Sequence, residues 1–475
     1  MAEISTNIPE RLDRLPWSRW HWVIVIGLGI TWILDGLEVT MVGSIGSRLK
    51  DRTALGLSDE AVGYAATSYL IGAVLGSLVF GYLTDRFGRK KLFIITLGWY
   101  VVATLLTAFS WNEASFLAFR FLTGFGIGGE YSAINSTIDE LIPSGHRGWV
   151  DLAINGTYWF GAILGSGASI LLLDPHLVDQ RYGWRLAFGI GAVLAFSIIF
   201  VREGIPESPR WQITHDRVDE ANRNMDAIED EISKEHGGDS LPAPHGELRL
   251  DPQRRHGFGD IVRTMVKTYP ERTVVVFSLM IAQAFLYNAF VFTNSLVLTT
   301  FFRVAAADVG WYMLAFSIGN LAGALILGRL FDTIGRKPMI AVTYTFAGVG
   351  ILVTGVLFTM GALNAVTITA CWCVTFFVAS AGASAAYLTV SEIFPLEIRA
   401  MAIALVYSVG TLVGGAVAPS FYGRLIATKL PSMVLVGYAV AAVLMIAAAV
   451  VELRFGVEAA GKKLEDVAAP LSAAA

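Results

Sequence analysis

The stretch Gly81-Tyr-Leu-Thr-Asp-Arg-Phe-Gly-Arg-Lys-Lys91 concentrates charge between two long apolar runs, at residues 61–83 and 92–109. Each run is about 20 residues long, the length of a helix that crosses the hydrocarbon core of a bilayer. So short a charged turn between two such runs must lie at a membrane surface. Because Lys and Arg collect on the cytoplasmic side, the stretch predicts a cytoplasmic turn between two membrane-spanning helices.

A second copy of this pattern lies between two apolar runs in the later half of the chain. Three of its positions repeat the first copy at one constant offset, with Gly328, Asp332 and Arg336 corresponding to Gly81, Asp85 and Arg89. A further motif, Glu-x-x-Pro-x-x-x-Arg, also occurs twice, from Glu140 to Arg147 and from Glu392 to Arg399. Charged turns alone are common in polytopic proteins, but two spacings repeated in the same order predict an internal duplication.

The two turns resemble the loop motif of the major facilitator superfamily, which occurs once in each half of those transporters. The resemblance implies two parallel six-helix halves around a central site. Composition agrees, because 55% of the 475 residues are hydrophobic and only 16% are charged, which is unlike a soluble protein of this length. The expected fold class is all-α, a polytopic membrane protein with twelve transmembrane helices in two parallel six-helix bundles.

Hydropathy at bilayer length predicts the twelve spans. They are residues 22–44, 61–83, 91–110, 114–137, 150–173, 185–202, 273–300, 308–330, 338–359, 363–389, 400–423 and 433–453. The predicted division is a first bundle at 1–205, a cytoplasmic linker with short amphipathic helices at 206–272, a second bundle at 273–455 and a cytoplasmic tail at 456–475. Arg11, Arg14 and Arg19 precede the first span, which favours a cytoplasmic N-terminus, and an even number of spans returns the C-terminus to the same side.

The linker is polar and charged throughout. Within it, Val218, Ala221, Met225 and Ile228 are spaced as one face of a helix, which predicts a helix packed on the cytoplasmic ends of the bundles. For residues 236–256, glycines and prolines leave a flexible linker as the alternative.

Ionisable residues stand well inside two predicted spans, Asp35 and Glu38 in the first and Arg120 and Glu130 in the fourth. Such groups are costly in a bilayer, so they usually face the bundle interior and have a partner. A carboxylate beside a fixed cation stays ionised, and a buried carboxylate that loses its cation takes up a proton. The pattern indicates either a proton-coupling pair or a permanent ion pair that orients two helices.

The chain is similar to the sugar-porter branch of the superfamily along most of its length. The matching motifs are Arg120 with its following glycines, Glu140 to Arg147, residues 206–211, Ser391 to Arg399 and, in a degraded form, Val457 to Glu465. In that branch an acid in a Gly-x-acid triplet of the first span pairs with the fourth-span Arg, and Gly36-Leu37-Glu38 falls on this triplet with Glu in place of Asp. The resemblance therefore implies Glu38 and Arg120 as the proton-coupling pair, with Asp35 and Glu130 as further candidates.

The sugar-binding positions of that branch are only partly retained, because its eleventh-span Gln-Trp pair falls on Gly410-Thr411. Gly128–Glu130 resembles metabolite:proton symporters, and Asp35-Gly-x-acid resembles aromatic-acid:proton symporters. Aromatic residues near Gln283, together with a few amides, suit a small amphipathic solute, although some of these aromatics are expected in the core or facing lipid. The predicted substrate-binding residues are Asn155, Trp159, Gln283, Tyr287, Asn288 and Tyr387.

By the same resemblance, the cytoplasmic motifs form charge pairs that lock and release an inner gate; static surface pairs are the alternative. The residues are Gly81, Asp85, Arg86, Gly88, Arg89, Glu140, Arg147, Glu207 and Arg210 in the first half, and Gly328, Asp332, Arg336, Glu392 and Arg399 in the second.

The expected function is secondary active transport, as proton-coupled symport of an organic acid, an aromatic acid or a sugar-like metabolite by alternating access. A uniporter or exchanger, and a sugar:proton symporter, are the alternatives. The sequence has neither a nucleotide-binding loop nor a His-Glu-x-x-His motif, so we expect no enzyme activity and no cofactor, with the proton gradient as the energy source. Cys371 and Cys373 face different directions on a helix, which argues against a metal site. The expected partners are a small-molecule substrate, protons and the lipid bilayer, without nucleic acid, for a monomer in the cell (inner or plasma) membrane.

Overall fold

The structure, a computed structural model, consists mainly of long helices. It describes residues 4–143, 146–174, 176–179, 181–202, 206–215, 217–237, 241–243, 248–250, 258–395, 398–460, 462 and 467–468.

The first part of the chain forms one short helix and six long ones: α1 (Ile8–Asp13), α2 (Arg19–Leu49), α3 (Asp59–Phe87), α4 (Arg89–Ala108), α5 (Glu113–Leu141), α6 (Arg147–Leu172) and α7 (Gly183–Arg202). Three shorter helices follow, the last of them continued by a π-helical turn at Thr264–Thr268: α8 (Pro209–Thr214), α9 (Val218–Glu235) and α10 (Phe258–Arg263). The last part forms α11 (Pro270–Phe302), α12 (Val309–Thr333), α13 (Arg336–Thr359), α14 (Ala365–Ile393), α15 (Arg399–Gly410), α16 (Val417–Ala427) and α17 (Pro431–Phe455). A π-helical segment, Thr411–Ala416, joins α15 to α16 into one long element.

Among the residues that the structure describes, twelve long helical elements therefore occupy the twelve predicted spans, six in the first half (α2–α7) and six in the second (α11–α17). In the part of the chain that the structure describes, nine helices are long and apolar enough to cross a membrane on length and composition. The predicted all-α fold class is confirmed.

Each charged turn reverses the chain through one glycine with a positive φ. Gly88 lies between α3 and α4 with φ 96°, and Gly335 lies between α12 and α13 with φ 119°. A side chain is strained in this region of backbone conformation, and glycine is not. At Gly88 a Cβ atom would also lie 2.3 Å from Glu207 Oε2, so the turn, its glycine and the acid fit together.

Close helix contacts in the first half place the ionisable residues. α2 packs along α6 and α3 packs along α5. A Cβ atom on Gly36 would lie 1.9 Å from the carbonyl oxygen of Tyr158, and one on Gly128 would lie 1.9 Å from that of Ala73. Because only glycine permits this approach, the first contact fixes the depth of α2, with Asp35 and Glu38, relative to α6, and the second fixes the depth of α5 relative to α3.

The two halves meet along α2 with α11, α6 with α12, and α3 with α15 and α16. Hydrogen bonds cross the seam near the end of the molecule opposite the charged turns, which we call the far face (residues 50–58 and 428–430). Thr67 Oγ1 lies 2.8 Å from Ser420 Oγ, and Ser295 Oγ donates to the carbonyl oxygen of Gly43 at 3.0 Å. The halves are therefore in contact at the far face.

The connecting segment includes a feature that the sequence analysis missed. Residues Ile4–Thr6 and Leu248–Leu250 form a two-stranded antiparallel ribbon that joins the N-terminus to the connection between the halves. The helix α9 lies beside α1 and α8. Its buried side chains are Ala221, Met225, Ile228 and Ile232.

Charge pairs attach α9 to the N-terminal segment. Arg11 Nε donates to Glu229 Oε1 at 3.0 Å, and the carboxylate of Glu235 accepts from the backbone N–H of Arg19. Burial alone would raise the pKa of Glu229, but hydrogen bonds from Arg11 and Arg14 hold that pKa below its ordinary value. The carboxylate is thus stabilised in its ionised form.

Candidate transport site

A cavity of about 140 Å³ lies between the two halves at mid-depth. Its walls come from α2, α3, α5 and α6 on one side and from α11, α14, α15 and the π-helical segment on the other. The aromatic side chains that line it are Trp32, Tyr69, Tyr131, Tyr158, Trp159, Tyr287, Phe292, Tyr387 and Tyr407. Three amides, Asn155, Gln283 and Asn288, and one carboxylate, Asp35, add polar groups.

The structure places all six predicted substrate-binding residues in this lining. Asn155 Nδ2 donates to the carbonyl oxygen of Asp151 at 2.9 Å, while Asn155 Oδ1 has no hydrogen-bond partner among the described residues. Tyr287 donates its hydroxyl to Asn320 Oδ1 at 3.2 Å. The amide oxygen of Asn155 is therefore available to accept a hydrogen bond from a bound solute.

Four of the rings form a layer between the cavity and the charged turns, which we call the aromatic layer (Trp32, Tyr131, Tyr387 and Tyr407). Trp32 stacks on Tyr131 with ring centroids 4.8 Å apart, and its ring is nearly perpendicular to that of Tyr387, with centroids 6.3 Å apart. Tyr131 of the first half meets Tyr407 of the second at 4.9 Å. The aromatic layer thus joins the two halves on the side of the cavity that faces the charged turns.

Asp35 places a carboxylate in the cavity wall. Its side chain is 2% exposed. The hydroxyl of Tyr69 donates to Oδ1 at 2.6 Å, and the hydroxyl of Tyr131 donates to Oδ2. Both oxygens therefore accept a phenolic hydrogen bond, a pattern that stabilises the ionised carboxylate.

Glu38 lies one helical turn beyond Asp35 on α2, and it forms a buried ion pair with Arg120 of α5. Arg120 Nη1 contacts Glu38 Oε1, and the Tyr100 hydroxyl donates to Glu38 Oε2. The side chains of Arg120 and Glu38 are 0% and 1% exposed, and neither is among the described residues that line the cavity. The ion pair lies behind the cavity wall rather than in it.

Tyr69 connects the cavity to this ion pair. Its hydroxyl reaches Asp35, and the face of its ring lies 4.4 Å from the Arg120 guanidinium carbon. This geometry is a cation–π contact in a dry interior, where such contacts are strongest. One side chain therefore contacts both the cavity carboxylate and the cation of the pair.

The charged turns are organised alike in the two halves. In the first, Glu207 accepts from the backbone N–H groups of Arg89 at 2.9 Å and Lys90 at 3.3 Å, at the start of α4. Arg89 Nη2 lies 2.8 Å from Glu140 Oε1. A carboxylate at a helix N-terminus stabilises its unpaired N–H groups and its dipole.

In the second half, Glu458 has the equivalent place at the start of α13. It accepts from the N–H groups of Arg336 at 2.8 Å and Lys337 at 3.2 Å. Arg336 Nη2 lies 3.2 Å from Glu392 Oε1. Each of these pairs joins residues of a single half.

Comparison with known proteins gives the family. Residues 33–470 match the family described as "Sugar (and other) transporter". The chain belongs to this family. Its fold resembles that of the proton:xylose symporter XylE of the major facilitator superfamily bound to 6-bromo-6-deoxy-D-glucose, with a TM-score of 0.74 at 20% identity, over 94% of this chain and 98% of that one.

The transporter also resembles curated relatives over much of its length. The niacin transporter NiaP of Acinetobacter baylyi is 27% identical over 468 residues, covering 97% of this chain and 99% of the relative. The arabinose-proton symporter of Bacillus subtilis is 26% identical over 424 residues, covering 83% and 85%. The predicted resemblance to sugar-porter-like members of the superfamily is confirmed, and the chain is a membrane transporter rather than an enzyme.

Several residues of the predicted gate lie at the charged turns of the transporter. The side chains of Asp85, Arg147 and Asp332, which were also predicted to belong to the gate, lie outside the described part of the structure. Gly81 and Gly328 are buried in α3 and α12. Their burial is typical of positions where two helices pack against each other.

The remaining predicted gate residues, and Glu130, have separate surroundings. Arg86 is exposed, with its guanidinium 5.6 Å from the ring centre of the neighbouring Phe87. Arg210 Nη2 lies 3.3 Å from a carboxylate oxygen of Asp13 in α1, and Arg399 Nη2 donates to a backbone carbonyl at 3.2 Å. Glu130 is fully buried in α5 but is not among the described cavity-lining residues.

Sequence reasoning missed several residues around the site. Tyr69 and Tyr100, which hold the two acids of α2, lie in apolar runs and carry no charge that would single them out. Trp32 and Val39 could have been found, because they flank Asp35 at helical spacing and share its face. Glu458 was visible in the degraded C-terminal motif, but without a role.

Proposed function

We propose that the transporter is a proton-coupled symporter that moves a small polar organic solute by alternating access. The observation that carries this proposal is the Glu38–Arg120 pair, which is buried directly behind the central cavity and is connected to it through Tyr69. A buried carboxylate is retained in its ionised form only while its cation is in place. A change of conformation that separates the two groups would load a proton onto Glu38, and their return would release it.

The aromatic walls favour a solute with a flat ring, such as an aromatic acid. Nine aromatic side chains line the cavity, and flat rings stack on aromatic faces. The similarity to a niacin transporter over 97% of the chain supports the same choice. A sugar-like metabolite is the second candidate, because Asn155, Gln283 and Asn288 also line the cavity and amides bind sugar hydroxyl groups.

The direction of the molecule in the membrane follows from the basic turns. We place both charged turns, both termini and the connecting segment in the cytoplasm of a cell (inner or plasma) membrane. In this arrangement the far face is extracellular, and its hydrogen bonds across the seam close it. The structure then corresponds to a state directed towards the cytoplasm, with the aromatic layer over the cavity.

The predicted division into bundles at 1–205 and 273–455, with a linker at 206–272 and a tail at 456–475, is part of this proposal. The ion pairs of the charged turns would exchange partners across the seam when the cytoplasmic side closes. We propose a monomer that uses the proton gradient and no cofactor.

Uptake into proteoliposomes tests the symport. With the membrane potential clamped at zero and the lumen made alkaline, the solute should accumulate above its external concentration, and a protonophore should abolish this accumulation. A uniporter or an exchanger would equilibrate the solute without accumulation, at a rate that a protonophore does not change. Accumulation that persists with the protonophore would contradict the proposal.

A further inference from the structure

We propose that Asp35 is the binding group for a positively charged nitrogen of the solute, so that the transported molecule is a small flat organic cation. This inference rests on the proposed symport of a solute with a flat ring, and it differs from the aromatic acid named there because it assigns the solute a positive charge. It also separates Asp35, as a substrate ligand, from Glu38, the acid of the ion pair.

The first observation is the place of Asp35. Its carboxylate is in the cavity wall and 2% exposed, and each oxygen already accepts one hydrogen bond from a tyrosine. An ionised carboxylate can accept about four hydrogen bonds. Each oxygen therefore has capacity for another donor, and the cavity is where that donor would come from.

The second observation concerns charge. Among the described residues that line the cavity there is no Lys, Arg or His. The nearby cation, Arg120, is in contact with Glu38 and with the face of the Tyr69 ring. An ionised carboxylate in a low-dielectric site needs a counter-charge, of which two phenolic hydrogen bonds supply only a part. A cation in the cavity would supply the rest.

The third observation is the arrangement of the rings. The rings of Trp32 and Tyr131 stack with centroids 4.8 Å apart, and those of Tyr158 and Tyr387 stand nearly perpendicular to Trp32, with centroids 6.4 Å and 6.3 Å from its own. The faces of Trp and Tyr carry negative electrostatic potential, and aromatic cages of this composition bind alkylated ammonium groups. The cage and Asp35 favour the same charge.

An anionic solute meets the opposite conditions. Its carboxylate would face Asp35, a like charge, together with the negative faces of the rings, and the described lining offers neutral hydrogen-bond donors but no cation to offset the repulsion. A neutral ring would stack without gaining from Asp35. The cavity therefore ranks a cation first, a neutral ring second and an anion last.

Three probes with nearly the same ring test this order: N-methylnicotinamide, a permanent cation; nicotinamide, which is neutral; and nicotinate, an anion. Binding to the purified full-length protein in lipid nanodiscs would be measured by calorimetry at pH 7.5. We expect the cation to bind about tenfold more tightly than nicotinamide, in line with a desolvated cation–π contact and one charge pair. Asp35→Asn should remove most of that advantage, Asp35→Glu should keep part of it, and Glu60→Gln, at an exposed acid, should change nothing.

The inference would be overturned if nicotinate bound as tightly as N-methylnicotinamide, if no probe bound, or if Asp35→Asn left the ratio of affinities unchanged. Should the Asn variant fail to fold, the ranking of the three probes by the wild type decides alone. The proposed symport is judged separately by protonophore-sensitive uptake. Proton-driven uptake of nicotinate without cation preference would uphold symport and reject the role of Asp35. Cation preference with protonophore-insensitive uptake would do the reverse.

Discussion

Replacing Glu38 by Gln separates proton coupling from solute movement. The amide oxygen of Gln can still accept hydrogen bonds from Tyr100 and Arg120, but it can neither take up a proton nor neutralise the guanidinium. With one proton per solute and the membrane potential clamped at zero, one pH unit corresponds to about 1.4 kcal/mol and a tenfold concentration ratio. We expect the wild type to approach this ratio in proteoliposomes and Glu38→Gln to stop at a ratio of about one.

The same substitution has a structural cost that the assay must separate from the loss of coupling. Arg120 is 0% exposed, and its Nε and Nη2 atoms have no hydrogen-bond partner among the described residues. Removing the charge of its partner leaves a buried cation without a counter-charge, which typically costs about 3–5 kcal/mol. Because Gln retains the shape and one acceptor, we expect a loss of stability at the lower end of that range.

Counterflow exchange provides the control for folding. Exchange of labelled for unlabelled solute needs the substrate cavity and alternating access but no net proton movement, so Glu38→Gln should exchange at a rate near that of the wild type. Glu60→Gln, which changes an exposed acid, should behave as wild type in both assays. Tenfold accumulation by the Glu38→Gln variant under the same gradient would refute the assignment of the proton to this residue.

Three further expectations concern packing, the cavity and the connecting segment. Gly128→Ala should destabilise the protein by about 1–3 kcal/mol or more, because its Cβ would overlap α3; Gly98→Ala, with nothing within 4 Å of its Cβ, should leave the melting temperature unchanged, and equal melting temperatures for the two variants would contradict the packing argument. Tyr69→Phe loses the hydroxyl that reaches Asp35 but keeps its ring, so solute exchange should persist while the measured proton-to-solute ratio falls below one; a ratio equal to that of the wild type would speak against the link. The lowered pKa of Glu229 means that its stabilisation is complete above its unfolded value of about 4.3 and is lost as the pH falls through the lower folded value. Glu229→Gln should therefore melt below the wild type at pH 7, and the difference in melting temperature should shrink as the pH is lowered below the unfolded value; a difference independent of pH would refute this.

The fold could be predicted from the sequence because a bilayer imposes a length on each helix. Hydropathy locates the apolar part of a helix but not its polar ends, so the first span, predicted at 22–44, extends over Arg19–Leu49 in the structure. The ribbon between Ile4–Thr6 and Leu248–Leu250 could not be predicted. A three-residue strand is too short to show a periodic pattern, and its partner is more than two hundred residues away.

The site could be predicted in part, because once one polar residue of a helix is known to face the cavity, helical spacing determines which of its neighbours face the cavity too. In α11 the lining residues include Gln283, Tyr287 and Val291, which recur at intervals of four, whereas Phe285 and Phe290 belong to the hydrophobic core. Once Gln283 is assigned to the cavity, the same spacing assigns Tyr287. No such anchor exists in α3 or α4, so Tyr69 and Tyr100 could be found only from the packed structure.

The position of the ion pair restricts how transport and proton movement can be coupled. Glu38, Arg120 and Tyr100 all belong to the first half, and rocking of two rigid halves about a central site would leave their contacts intact. Under the proposed symport, proton release from Glu38 would therefore need a rearrangement within the first half that depends on the second half or on the solute. Asp35 is where these influences meet: the hydroxyl of Tyr69 connects it back to Arg120, and Tyr131 connects it across the seam to Tyr407. A solute that competes for Asp35 would shift Tyr69 and Tyr131, and so would a movement of the second half that withdraws Tyr407. Because Tyr69 contacts Arg120, the environment of Arg120 would then change before any rigid-body movement is complete.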